Sequence, residues 1–76
     1  MSATFVLDFL ETHVDDMFDE VYRLRNLPYE TLKKSERKIL KMVDRYVEFK
    51  RIQEPTSEDC MKCNDDLDNI LYEVNI

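Results

Sequence analysis

Seventy-six residues allow one domain at most, and below roughly 80 residues a single core supplies only about 3–5 kcal/mol of net stability unless it packs very regularly or is stapled. With no glycine and two prolines in a chain that is 37% charged, almost no residue tolerates positive φ, which disfavours tight hairpins and favours helices. The net charge of −6 divides unevenly: residues 1–28 carry −4, residues 29–53 carry +4 and residues 54–76 carry −6, a basic middle between two acidic arms.

The first segment places Leu7, Leu10, Val14, Met17, Val21 and Leu24 at spacings of 3, 4, 3, 4 and 3. This is an a/d seam over nearly three heptads, and it predicts one long helix over about residues 4–26. Ser2 or Thr4 can serve as its N-cap, with Asp8 and Glu11 toward its positive end and Arg23 and Arg25 toward its negative end. Asn26 and Pro28 close it, since the residue before a proline is pushed out of the α region.

The second helix is expected over about residues 29–53, starting between Pro28 and Ser35. Leu32, Ile39, Leu40, Met42, Val43, Tyr46, Val47 and Phe49 cover about half of its circumference, which suits a helix with more than one neighbour. Together with the small-core limit, that breadth makes a homodimer the expected assembly. Pro55 then breaks the chain, and Thr56 or Ser57 followed by Glu58 and Asp59 reads as the start of a third helix over about residues 57–74. Cys60, Cys63, Leu67, Ile70 and Val74 form its seam, widened by Leu71. The expected fold is all-α, a single domain of residues 1–76 built as a three-helix bundle with heptad-like seams and antiparallel neighbours.

No run of 18 apolar residues is present, and the amino terminus lacks the basic-then-apolar pattern of a secretory signal. An intracellular, cytoplasmic location without a membrane span is expected, with reduced thiols. Cys60 and Cys63 form a C-x-x-C motif, half of a tetrahedral zinc site. The chain has one histidine and no βαβ context for redox work, so a zinc site would need a second chain. Both thiols fall on the seam, and the reading adopted is that they are small buried hydrophobes, with no metal and no cofactor. Asn64, Asp66 and Asp68 imitate the start of a calcium loop, but Asn69 and Asn75 stand where that loop needs Gly and Glu. His13 has Asp16 one turn away and no nucleophile nearby in sequence, so a surface histidine and a non-enzymatic protein are expected.

Residues 32–40 resemble the basic first helices of helix-turn-helix proteins in composition, but the segment that follows is acidic and would repel DNA. The acidic residues of the first helix are more telling. Glu11 with Asp15, Asp15 with Asp19 and Asp16 with Glu20 are like charges at i, i+4, each costing about 0.2–0.5 kcal/mol. Either Lys34, Arg37, Lys38, Lys41 and Arg45 answer them within the bundle or across a dimer, or they face a cationic partner.

The preferred function is a small acidic protein-binding regulator or inhibitor that occupies a basic partner surface, in one version by mimicking nucleic acid. Its expected contact residues are Asp8, Glu11, Asp15, Asp16, Asp19 and Glu20, with Met42 and Phe49 as apolar anchors. The alternatives are a structural oligomerisation module and a small DNA-binding regulator that uses the basic middle helix.

Overall fold

A computed structural model describes residues 4–73 of the chain. Four α-helices and one 3₁₀ turn make up the fold: α1 (Phe5–Thr12), α2 (Val14–Arg25), the turn Tyr29–Thr31, α3 (Lys34–Lys50) and α4 (Ser57–Leu71). The all-helical class is as expected, with four helices in place of three.

The difference lies in the first segment, where the single helix expected over residues 4–26 is broken at His13. Its backbone sits at φ −111° and ψ 21°, in the sparsely allowed bridge region. One residue earlier, the Thr12 hydroxyl donates to the Asp8 carbonyl at 2.9 Å, back-bonding of a kind that bends helices. The His13 N–H is shared between the Phe9 and Leu10 carbonyls at 3.2 and 3.1 Å. The seam itself survives the bend: Leu7, Leu10, Val21 and Leu24 are buried, and Val14 and Met17 are half-buried. The bend lets one seam serve two neighbours, because α1 packs against α4 while α2 packs against α3.

Helix α3 is shorter at both ends than the expected 29–53. Pro28 opens a 3₁₀ turn, Leu32 is extended at φ −74° and ψ 140°, and the Glu36 carboxylate accepts from the Lys33 N–H at 2.9 Å, so the helix begins at Lys34. At the other end the Arg51 and Ile52 N–H groups bond to the Glu48 and Phe49 carbonyls, a tightened last turn that closes the helix before Pro55. Its wide apolar stripe is taken up within one chain, since α3 packs against α2 on one side and α4 on the other. The breadth of that stripe therefore gives no reason for a dimer. Helix α4 starts as its sequence suggests: Thr56 Oγ1 accepts from the Asp59 N–H at 3.1 Å, and the Asp59 carboxylate accepts from the Thr56 N–H at 3.0 Å, a reciprocal capping box. Ser2 and Val74, assigned to a cap and a seam above, lie outside the described residues.

The core joins Val6, Leu7 and Leu10 of α1 to Met42, Tyr46 and Phe49 of α3 and to Cys63 and Leu67 of α4. At its edge lies a polar contact that binds the first helix to the last. Thr4 occupies the N-cap position of α1 but makes no side-chain cap bond. The buried Asn64 of α4 supplies one instead, its Oδ1 accepting from the Val6 N–H at 2.8 Å and the Leu7 N–H at 3.0 Å. These are two of the four N–H groups that a helix start leaves without an intrahelical acceptor.

Asn64→Ala removes the acceptor for both groups and is expected to lower stability by about 1–3 kcal/mol. The thermal midpoint should fall by roughly 4–8 °C for each kcal/mol in a domain of this size. Amide exchange should show α1 losing protection well before α3, whereas a uniform loss across all four helices would contradict the assignment of the cap.

Candidate functional site

Most of the basic residues of α3 and its flanks have partners on its own side of the fold. Lys38 Nζ donates to the Glu73 and Leu71 carbonyls at 2.8 and 3.4 Å, meeting the negative end of α4. Lys41 pairs with the Glu73 carboxylate at 3.3 Å. Arg45 Nε donates to Asp66 at 2.7 Å, and that hydrogen bond raises the guanidinium pKa against the opposing effect of desolvation. Arg37 donates to the Tyr29 and Glu30 carbonyls and lies 4.6 Å over the Tyr29 ring. From α2, Arg25 reaches Asp44 at 2.7 Å.

None of these bases reaches the acidic ladder. Glu11, Asp15, Asp16 and Asp19 are all exposed, and among the described residues none makes an ion pair. Glu20 is different. It bonds Arg23, which holds its carboxyl below the ordinary value, and Arg23 also approaches Glu36 at 3.5 Å, so Glu20 belongs to the link between α2 and α3. Asp8 also stands apart, since it accepts from the Thr4 hydroxyl at 3.3 Å within the first turn of α1.

The outward face of α2 is not purely acidic. Asp15, Phe18, Asp19 and Tyr22 fall at i, i+3, i+4 and i+7, one helical face, opposite the inward-facing Val14, Met17, Val21 and Leu24. Phe18 is 42% and Tyr22 75% exposed. Aromatic rings interleaved with carboxylates suit a surface that must grip a cation, since the ring face and the carboxylate both attract it. Phe18 and Tyr22 were missed in reading the sequence, although the same periodicity that marks the seam places them on one stripe.

Met42 and Phe49, expected as partner anchors, are core residues at 7% and 4% exposure. They fill the space between α3 and its neighbours. Met42 does form part of the floor of an apolar groove of about 300 Å³ with Phe5, Val6, Phe9 and Leu71. His13 is exposed and stacks on Phe9 with ring centroids 4.5 Å apart. Cys63 is fully buried and Cys60 half-buried beside it at the core. Burial pushes the Cys63 thiol up, only partly offset by the nearby Arg45 charge. Among the described residues no three His, Cys, Asp or Glu side chains gather as a metal site, and no helix is long and apolar enough to cross a membrane. Of the side chains in the calcium-like run, the Asp66 carboxylate pairs with Arg45, while the Asn64 amide caps α1.

Comparison with known proteins gives no family assignment: no family model, no curated protein and no solved structure matches this chain.

The two thiols should differ in reactivity, because only the thiolate attacks an alkylating agent and burial disfavours that form. Iodoacetamide at mildly alkaline pH should modify Cys60 in the folded protein and Cys63 only after denaturation. Replacing both by Ala should cost stability to the same extent with and without added zinc. Stoichiometric zinc that survives dialysis would overturn the core-packing role of the pair.

Proposed function

We propose that the protein is a non-enzymatic regulator that binds a basic surface of another protein through the outward face of α2 and the adjoining end of α1. The observation that carries this reading is the arrangement of charge. Four exposed carboxylates, Glu11, Asp15, Asp16 and Asp19, have no base opposite them among the described residues, although the chain holds eleven Lys and Arg. Like charges at i, i+4 weaken a helix, so an acidic row that the fold does not neutralise is an expense in stability with no internal return. Phe18 and Tyr22 add the large, low-entropy contact area that dominates binding energy at interfaces, while the carboxylates steer and orient the partner.

Nucleic-acid mimicry is one form of the same chemistry. Carboxylates one turn apart recur about every 6 Å along a helix, and a DNA strand carries a phosphate about every 3.4 Å, so two adjacent acidic rows approach that density. Asp15 with Asp19 and the neighbouring Asp16 supply such rows on α2.

Immobilised wild-type protein and a Glu11→Gln/Asp15→Gln/Asp19→Gln variant can be compared for capture of a basic protein from extracts of the native host. The variant should melt at the same temperature or slightly higher, because repulsion has been removed, and should lose the captured protein. Wild-type capture should weaken steeply as salt rises. A stable variant that captures as well as wild type would overturn the proposal, and a shift of duplex DNA by wild type at low salt would favour a DNA-binding regulator instead.

A further inference from the structure

On the opposite side of the charge pattern, four cations of α3 converge on a single concavity. Lys34, Arg37, Lys38 and Lys41 stand at i, i+3, i+4 and i+7, and with Tyr29 and Glu73 they line a pocket of about 180 Å³. We propose that this pocket binds a small anion carrying linked phosphoryl groups, such as pyrophosphate or the phosphate chain of a nucleotide.

The pocket is built, and it is not simply a solvated helix face. Arg37 is half-buried and held in place by the Tyr29 and Glu30 carbonyls and by the Tyr29 ring beneath its guanidinium. Its Nε is buried and has no acceptor among the described residues, a donor that the fold leaves unpaired behind the pocket wall. Lys34 has no hydrogen bond or ion pair among the described residues. Among the described residues one carboxylate, Glu73, shares the pocket with the four cations, and its contact with Lys41 is solvent-exposed on both sides, a pair of the kind that a better acceptor displaces easily. In a chain whose net charge is −6, a cationic concavity is a local inversion of the field, and concave low-dielectric walls focus such a field.

The length of the cationic row sets the class of ligand. Lys34 and Lys41 are separated by seven residues, about 10 Å along the helix axis. A single phosphate group meets one turn of that row, whereas two or three linked phosphoryl groups can accept from residues on both turns. Arg37 offers the planar donor set that suits phosphoryl oxygens, and the lysines act as point charges around it. The surrounding acidic arms of the chain disfavour a long polyanion, which would have to cross them, and favour a small one.

The test is a titration of isotopically labelled protein with sodium pyrophosphate, with sodium chloride at matched ionic strength as control. Saturable amide shifts should be confined to residues 29–41 and 71–73, and the melting temperature should rise with pyrophosphate beyond any rise in chloride. Lys34→Gln with Lys41→Gln should weaken binding by about tenfold or more through loss of charge-assisted contacts, with no fall in the melting temperature of the free protein. Glu73→Gln should tighten binding, because it removes the internal competitor. Metal-free ATP run alongside separates the sources: equal affinity assigns the site to the phosphoryl chain, and tighter binding extends it to the nucleotide. Shifts that never saturate and match those in chloride would overturn the proposal. So would saturable binding that the double lysine variant leaves unchanged, or binding of a duplex oligonucleotide with no response to pyrophosphate.

Discussion

An isolated helix of eight residues has no stability of its own in water, because nucleation costs more than so few hydrogen bonds return. Helix α1 is of that length, yet it contributes Val6, Leu7 and Leu10 to the core. It is held by burial of those side chains in the core and by the Asn64 carbonyl at its amino end. A buried amide side chain left without partners would be destabilising. Here it meets two donors that themselves need an acceptor, so each side of the contact resolves the deficit of the other. The bend at His13 depends on this arrangement: α1 can turn away from α2 because it has a cap and a partner surface to turn toward.

The same partition organises the charges. Helix α3 lies between α2 and α4 and directs most of its cations toward α4 and toward the turn that precedes it. Arg45 meets Asp66, and Lys38 and Lys41 meet the end of α4. On the other side is a helix whose outward Asp15, Asp16 and Asp19 have no base opposite them among the described residues, beside the exposed rings of Phe18 and Tyr22. Among the described residues, the cations of α3 are thus largely answered within the fold, while the acidic row of α1 and α2 is not.

The helical class, the two apolar seams and the start of α4 could be read from the sequence because each rests on residues close together in the chain. The 3-4 spacing from Leu7 to Leu24 identified the inward residues of the first segment except Val6, which the core also buries, and of the two caps that the sequence offered, Thr56 and Ser57, Thr56 is the one that forms, with Asp59. The break at His13 was not legible, since the spacing continues across it and only the separate docking of the two halves reveals it. Asn64 was legible only as a polar residue in a helical pattern, because the groups it serves lie 57 and 58 residues away. The burial of Met42 and Phe49 in the core was not legible for a related reason. Periodicity finds an apolar face without saying whether the chain itself covers it. For the outward stripe, the spacing of the carboxylates could be read, but Phe18 and Tyr22 lie off the apolar seam and only their exposure in the fold marks them as part of the outward face.

The Asn64 cap also orders events in time. A ribosome delivers the chain from its amino end at about 5–20 residues per second, and α1 emerges 58 residues ahead of the side chain that completes it. For several seconds the first helix has neither its acceptor nor its α4 surface, and Phe5 and Phe9 stand beside apolar positions that are not yet covered. Helices α3 and α4 are joined by a short connection and make contacts of low sequence separation, so they can pair first. Of the four helices described, α1 is then made before the others and fixed after them, and it stays open to chaperones until α4 has been synthesised.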